Sequence, residues 1–241
     1  MTARQLVRLT GTLIVVAGSL LLAWALLVWQ WQDPITALYT RWEQRDLAQE
    51  YEQRVERFST ATPVPAIEKP ITPIQIAERA REYRLALQEG DAIGRLKIPK
   101  LDLSMIVVNG TDSSTLKKGP ARHRRTFLPG EGKLIYIAGH RTTYSAPFSD
   151  IDDLRRGDRV LLELPYATFE YRIRSHRIVE AHQVSVLRSR GREEVALQAC
   201  WPRFFASHRY IAYARPVRVI PRNGRPYEYL GSELQALGQP G

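Results

Sequence analysis

Residues 196–210 read ALQACWPRFFASHRY, and this stretch decides how the rest of the chain is interpreted. An apolar run at 195–199 precedes the only cysteine, Cys200, and Arg209 precedes a second apolar run at 210–214. Two short apolar runs with a proline between them predict two adjacent strands and a tight connection. Because neighbouring strands lie ~4.8 Å apart, we expect Cys200 and Arg209 to face one small volume.

A second motif, Gly139-His140-Arg141, ends another apolar run at 133–138. Cysteine, histidine and arginine at three strand ends could supply a nucleophile, a proton carrier and an anion-stabilising group. A thiol near a fixed cation also has a lowered pKa. The alternative is a buried, inert cysteine that packs as a small apolar side chain. A lone cysteine in an exported domain forms no internal disulfide and is open to oxidation, so we expect Cys200 to have a function.

The composition suits one globular domain with flanking material: 241 residues, 44% hydrophobic and 25% charged. The net charge of +10 fits a basic face near an anionic membrane or wall polymer. The sequence has no helix-turn-helix, zinc-finger or RNA-recognition signature, so nucleic acid is not a predicted partner. No cofactor or metal is predicted either, because the remaining histidines have no ligand partners at metal-binding spacing and residues 181–193 hold no acidic cluster for calcium.

The N-terminus predicts a membrane anchor over residues 1–32. Arg4 and Arg8 precede an apolar run that extends to Trp31, long enough to cross a hydrocarbon core of ~30 Å. Positive charge before the run predicts a single-pass protein of the cell membrane with a cytoplasmic N-terminus and an extracellular catalytic domain. The alternative is a cleaved signal peptide, but no Ala-x-Ala-like cleavage site follows the run.

Three further segments complete the predicted domain organisation. Residues 33–73 are expected to form a juxtamembrane helix with a helical stripe, followed by a proline-rich linker. Residues 74–220 are expected to form the catalytic domain, which opens with a helix over 74–89 that Gly90 ends. Residues 221–241 form a C-terminal tail with little pattern.

After Gly90 the chain changes to short strands with turn signals, which is an all-β pattern. Strands are predicted at residues 93–98, 103–109, 133–139, 159–164, 168–180, 195–200 and 209–220. Short helices are predicted at 114–118 and 147–154, and the basic run at 122–125 is interpreted as a solvated face. Seven or eight strands in about 130 residues close most economically as a small barrel, here an eight-stranded one.

Five motifs in this order resemble the sortases, the cysteine transpeptidases of Gram-positive cell surfaces. They are IGRLKIP at 93–99, LPG at 128–130, AGHR at 138–141, LxxGD at 154–158, and CxP at 200–202 with Arg209 nine positions after the cysteine. The resemblance covers residues 93–219 and the N-terminal anchor. The tract TTYSAPF at 142–148 is most similar to the housekeeping-type class E sortases of actinobacteria.

The resemblance implies a function and a catalytic triad of His140, Cys200 and Arg209. Sortases cleave a C-terminal sorting signal, LPxTG or usually LAxTG in class E, between Thr and Gly. The acyl group is held on the cysteine and passed to an amine of the cell-wall precursor. The implied partners are therefore secreted proteins that carry a sorting signal and a lipid II-like precursor.

Three more positions are predicted to contact the substrate: Tyr144, Ala199 and Trp201. Tyr144 aligns with a class E tyrosine whose hydroxyl could bond the peptide N–H that Ala has and Pro lacks. A tyrosine packed in a loop is the alternative for this position. Trp201 and the phenylalanines after it could keep water from the thioester. Ala199 departs from the family, which usually has a threonine before the cysteine, and so this chain lacks that hydroxyl next to the nucleophile.

Two other functions remain open at this point, and so does the role of Arg141, either a surface cation or a substrate contact. One alternative is another surface cysteine peptidase or an L,D-transpeptidase-like wall enzyme. In the latter family the histidine lies close before the cysteine, whereas His140 lies sixty positions before Cys200. The other alternative is an inactive anchored barrel that binds wall polymer, which requires an inert Cys200.

Overall fold

The computed structural model describes residues 3–31, 34–61 and 71–229. Within these ranges the helices are α1 (Ala3–Trp31), α2 (Pro34–Ala61), α3 (Pro73–Ala86) and α4 (Ser113–Lys118). The strands are β1 (Ala92–Ile98), β2 (Leu103–Asn109), β3 (Ala121–Arg122), β4 (Leu134–Ala138), β5 (Arg159–Glu163), β6 (Ala167–Glu180), β7 (Glu194–Trp201), β8 (His208–Pro221) and β9 (Tyr227–Glu228). The predicted proline-rich linker and the tail fall largely on residues 62–70 and 230–241, outside the described residues.

The strands form a closed barrel of eight, in the order β6-β5-β1-β2-β3-β4-β7-β8, and β6 pairs with β8 to close it. The pairs β2–β3 and β4–β7 are parallel, and the other pairs are antiparallel. The short β9 adds to β8 at Arg218 and Val219, beyond the residues of β8 that pair with β7. The predicted eight-stranded all-β barrel is therefore confirmed.

Alternation of side chains along each strand separates a barrel interior from an outer face. On β7, Leu197 and Ala199 belong to the main core cluster and are 0% exposed. Because side chains alternate along a strand, the neighbours Gln198 and Cys200 point to the outer face. The register of β7 therefore decides that the thiol lies outside the core.

The interpretation of the basic run at 122–125 as a solvated face is wrong for Arg122. This residue belongs to the two-residue strand β3, which lies between β2 and β4, and it is 2% exposed. Its guanidinium donates to the side-chain oxygen of Asn109 at 2.7 Å and to the backbone carbonyl of Thr126. A buried guanidinium is tolerated when oxygen acceptors surround it in this way.

The predicted short helix at 147–154 is also wrong in extent, because only a 3-10 turn at Ile151–Asp153 forms. The backbone before it, at Tyr144, Ser145 and Ala146, has positive φ angles of 53°, 59° and 37°. Within the segment, the amides of Asp153 and Leu154 donate to carbonyls three residues back, at Asp150 and Ile151, which is the pattern of a 3-10 turn and not of an α-helix. The segment instead forms a turned loop between β4 and β5.

Helix α2 packs on the outside of the barrel. Leu47 and Tyr51 are each 4% exposed and pack with apolar residues of the first three strands in a second cluster that includes Ile106 and Val108. The hydroxyl of Tyr51 donates to the carbonyl of Glu163 at 3.0 Å. Leu47, Tyr51 and Val55 of the predicted helical stripe thus pack on the outer face of β1 and β2. The first two members of the stripe, Leu38 and Trp42, are instead 70% and 58% exposed.

Of the described helices, α1 is the one whose length and composition would allow it to cross a membrane, with a candidate span at Ala3–Leu26. The side chains of that span are not buried against the rest of the chain. Both properties are compatible with a membrane anchor.

Candidate active site

Strands β7 and β8 place Cys200 and Arg209 directly opposite each other. The two residues are an antiparallel pair in the register, and both follow the outward alternation of their strands. Opposed residues of an antiparallel pair have Cβ atoms roughly 5 Å apart. The cross-strand arrangement predicted from the sequence is present.

His140 reaches the same place from β4. The parallel pairing of β4 with β7 ends at Ala138 and Gln198, and the next amide, Gly139 N, donates to the carbonyl of Gln198 at 2.9 Å. His140 follows directly and lines the same groove as Cys200 and Arg209. Because β4 and β8 pair with opposite edges of β7, His140 comes from one side of β7 and Arg209 from the other.

His140, Cys200 and Arg209 line one groove of about 270 Å³ on the outer face of the barrel. Tyr136 and Gln198 lie beneath them on β4 and β7, and the segment that includes α4 contributes to the wall. Cys200 is partly exposed. The structure thus brings the three side chains together at a solvent-accessible surface.

The environment of His140 favours the neutral form of its imidazole. Burial, followed by the cation of Lys117, lowers the pKa of His140 below its ordinary value of 6.5. The Nε2 atom is buried and has no hydrogen-bond partner. A neutral imidazole can accept a proton from the neighbouring thiol, and its conjugate acid then gives up that proton readily.

The guanidinium of Arg209 is oriented by its own loop. One terminal nitrogen, Nη1, donates to the carbonyls of Ala206 and His208 at 2.8 and 2.9 Å. A guanidinium has five N–H donors in a fixed fork, so two of them can hold the group while others face a ligand. This arrangement suits a donor to a carbonyl oxygen in the groove.

Arg141 is neither a surface cation nor a residue of the groove, the two roles considered from the sequence. It is 4% exposed, pairs with Asp152 at 2.5 Å and lies over the Trp201 ring at 4.6 Å. It also donates to the carbonyls of Ser149 and Cys200 at 3.1 and 3.4 Å. Arg141 thereby connects the loop after His140 to the backbone of the cysteine.

Tyr144 lies next to the histidine. The two ring centroids are 5.0 Å apart, and Lys117 approaches the Tyr144 ring at 5.9 Å. The Tyr144 amide donates to the hydroxyl of Thr36, in α2, at 2.9 Å. Tyr144 is therefore in contact with His140 and packed against α2 at the same time.

The other two predicted substrate contacts do not face the groove in this structure. Ala199 is 0% exposed in the barrel core, because it precedes Cys200 by one residue and alternation turns it inward. Trp201 follows Cys200 by one residue and is likewise on the opposite side, between Arg141 and the Tyr210 ring at 5.6 Å. The expectation that these side chains contact the substrate is corrected by the two-residue period of the strand.

Other residues of the groove were missed from the sequence. Gln198 lies two residues before Cys200 on the same face, so the period of the strand was a usable signal. His123 and Tyr136 also line the groove, with ring centroids 6.5 Å apart. No comparable signal marks His123, since the strand that positions it has only two residues. In the described part of the chain, no group of three or more His, Cys, Asp or Glu residues could hold a metal ion.

The comparisons with known proteins agree with this geometry. A family model described as the sortase domain matches residues 96–217. The chain belongs to the sortase family. Sortases are cysteine transpeptidases, and the matched segment contains all three residues of the groove named above.

Relatives of this sortase come from more than one class. Sortase D of Bacillus subtilis (strain 168) is 34% identical over 134 residues, which are 54% of this chain and 66% of the relative. The curated relatives are matched over 45–66% of their own lengths.

Two solved structures have similar folds. Sortase E1 of Streptomyces coelicolor, solved with a tripeptide in its active site, is 27% identical with a TM-score of 0.52, and the match covers 63% of this chain and 95% of that one. A Clostridium perfringens sortase D5 transpeptidase has the same fold, with 21% identity, a TM-score of 0.57 and coverage of 73% and 98%. The comparisons therefore assign the family and do not assign the class.

Proposed function

We propose that this protein is a membrane-anchored sortase that cleaves a C-terminal sorting signal between Thr and Gly and joins the new carboxyl end to an amine of a cell-wall precursor. The observation that supports this most strongly is the convergence of His140, Cys200 and Arg209, from three different strands, on one open groove. A nucleophile, a proton carrier and a fixed cation in one groove are what acyl transfer requires.

In the first half of the reaction, the Cys200 sulfur attacks the carbonyl carbon of the threonine in the sorting signal. The thiol proton passes to the neutral imidazole of His140, which then donates it to the nitrogen of the leaving glycine as the C–N bond breaks. A thioester to Cys200 and a free peptide amine result. The lowered pKa of His140 favours the donation, since a weaker base forms a stronger acid.

In the second half, an amine attacks the thioester carbon and loses a proton to His140. The carbon–sulfur bond breaks, the sulfur recovers a proton, and a new amide bond forms. In both halves negative charge develops on the carbonyl oxygen, and the role we propose for the N–H donors of Arg209 is to stabilise that charge. Arginine suits this role because it stays charged at any relevant pH.

We further propose that the substrates are secreted proteins with LAxTG-like or LPxTG-like signals and that the acceptor is a lipid II-like precursor. The apolar helix α1 supports a single-pass anchor with a cytoplasmic N-terminus, because Arg4 and Arg8 lie in the first turns of the candidate span, at its N-terminal end. The catalytic domain, residues 74–220, would then lie outside the cell together with α2. The tripeptide held by the Streptomyces coelicolor relative supports a peptide ligand for the groove.

The test uses the full chain in detergent micelles, because α2 packs against the barrel and contacts the Tyr144 loop. The chain is incubated with LAxTG and LPxTG peptides and a glycine-based amine, and the products are read by mass spectrometry. We expect a product in which the peptide ends in threonine joined to the amine, and a transient acyl adduct on the protein. If both peptides stay intact over many hours, the proposed substrate class is wrong.

Tyr144→Phe tests the proposed assignment to class E. If the Tyr144 hydroxyl bonds the peptide N–H of the alanine in LAxTG, its loss should reduce the preference for LAxTG over LPxTG by about 2- to 10-fold, the effect of one hydrogen bond. The measurement is kcat/KM for both peptides in wild type and variant. An unchanged ratio would assign Tyr144 to packing against His140 and α2.

The partial exposure of Cys200 argues against the inactive barrel, and its alkylation rate tests that alternative. We expect a methanethiosulfonate reagent to label Cys200 rapidly at pH 7, and several-fold more slowly in His140→Ala, because the variant lacks the acceptor for the thiol proton. Cys200 is the only cysteine, so mass alone reports the reaction. Equal, slow labelling of both proteins would support the inert barrel.

A further inference from the structure

The first turns of α2 contact the loop that follows His140. The hydroxyl of Thr36 accepts from the Tyr144 amide at 2.9 Å, and the hydroxyl of Ser145 donates to the carbonyl of Ala37 at 3.3 Å. The rings of Tyr39 and Tyr144 meet edge to face with centroids 6.3 Å apart. Three separate contacts therefore join one short segment of α2 to two consecutive residues of the loop.

The part of the loop that α2 contacts has an unfavourable backbone conformation. Tyr144, Ser145 and Ala146 have φ angles of 53°, 59° and 37°, and none of them is a glycine. Consecutive residues with side chains rarely occupy the left-handed region and remain there only when surrounding contacts hold them. The two hydrogen bonds from α2 are contacts of this kind.

The loop conformation sets the position of the Tyr144 ring against His140. The two centroids are 5.0 Å apart, and the Phe148 amide donates to the His140 carbonyl at 3.0 Å, which closes the loop on the histidine. On the other side of the groove, the Thr40 hydroxyl of α2 donates to the carbonyl of Lys117 at 2.8 Å. The positive charge of Lys117 contributes to the lowered pKa of His140. Helix α2 therefore supports the groove through both α4 and the Tyr144 loop.

We propose that Thr36 and Tyr39 of α2 are positioning residues of the active site, which hold the Tyr144 loop in its left-handed conformation and so fix the Tyr144 ring against His140. The catalytic consequence rests on the proposed function, whereas the structural part does not. The juxtamembrane helix α2 is then part of the catalytic domain. An enzyme that lacks the N-terminal residues up to the end of α2 has a misaligned His140.

The test compares Thr36→Val with Thr36→Ser in the full chain in micelles. Valine keeps the volume and branching of threonine but removes the acceptor of the Tyr144 N–H, whereas serine keeps the hydroxyl. The first readout is the pKa of His140, measured by NMR on histidine-labelled protein and assigned with a His140→Gln variant. The titratable and charged groups around His140 are Tyr144, Lys117 and four residues of the groove, and none of them is changed. The four are His123, Tyr136, Cys200 and Arg209.

In Thr36→Val we expect the pKa of His140 to rise towards 6.5, because a displaced Tyr144 ring admits water to the imidazole. We also expect kcat to fall about 10-fold with a smaller change in KM, because a misplaced catalytic group slows the chemical step more than it weakens binding. Thr36→Ser should match wild type in both readouts. Tyr39→Leu perturbs the same loop through its ring contact and should shift both readouts in the same direction as valine.

Leu38→Ala is the control, since Leu38 lies in the same turn and is 70% exposed. It should leave the pKa and kcat of wild type unchanged. Wild-type values in Thr36→Val and Tyr39→Leu, or equal shifts in the valine and serine variants, would overturn the proposal. The NMR readout needs no substrate, so it decides the positioning role even if neither sorting peptide is cleaved by wild type.

Discussion

Cys200→Ala is expected to reduce transfer of a sorting peptide to an amine by more than about 10⁴-fold, to the level without enzyme. Cys200 is the only cysteine, so no second thiol can take over the nucleophilic step. Its side chain lies at a partly exposed position on the outer face of β7, where alanine leaves no cavity in the core. The loss should therefore occur without a change in the near-UV circular dichroism spectrum.

His140→Ala should cause a loss of similar size, and the double variant should be little worse than either single one, because residues that act as a unit are not additive. His182→Ala is the matched control, since His182 lies on the exposed loop between β6 and β7 with 85% of its side chain accessible. The measurement is single-turnover formation of the thioester, followed by mass. If Cys200→Ala still released the glycine fragment, the proposed covalent mechanism would be wrong.

Much of the barrel was predictable because most of its strands are long enough to show a recognisable apolar pattern in the sequence. The seven predicted strands occur in the structure as β1, β2 and β4 to β8. The eighth barrel strand, β3, has only two residues and shows no period, and its Arg122 resembles a surface charge in the sequence. Its burial depends on Asn109 and Thr126, which the fold brings to it. Tertiary contacts of that kind leave no local pattern.

The groove was predictable in part for a similar reason. His140, Cys200 and Arg209 each follow or begin an apolar run, and adjacent strands bring such ends together. Ala199 and Trp201 do not line the groove, because side chains alternate along β7 and the immediate neighbours of Cys200 point to the other face. The docking of α2 could not be predicted, because an apolar stripe shows that a helix is covered on one side and does not show by what.

Glu193 gives the second large effect, on stability rather than on catalysis. Its carboxylate is buried in the barrel, where it accepts from the amides of Gly130 and Gly132 at 2.9 and 3.0 Å and from the Tyr171 hydroxyl at 2.7 Å. These three donors favour the charged form, but burial outweighs them and raises the pKa of Glu193 from 4.5 to about 7. The folded protein therefore binds this proton more tightly than the unfolded chain does.

The sign of the pH dependence follows from that difference. The stabilisation linked to the proton is fully present below pH 4.5, declines as the pH rises, and is lost above about pH 7. A difference of two to three pKa units corresponds to about 3 kcal/mol. Relative to Glu193→Gln, which cannot ionise, wild type should lose about 3 kcal/mol of unfolding free energy between pH 4.5 and pH 7.5.

The measurement is urea unfolding of wild type and Glu193→Gln in micelles at several pH values. The difference between their unfolding free energies is plotted against pH, so that the contributions of all other titrating groups cancel. Glu78→Gln is the control, because Glu78 is exposed on α3 and should give a difference independent of pH. If the difference in unfolding free energy between wild type and Glu193→Gln were also independent of pH, Glu193 would stay charged in the barrel. In that case the two glycine amides and Tyr171 would compensate fully for the loss of water around the carboxylate.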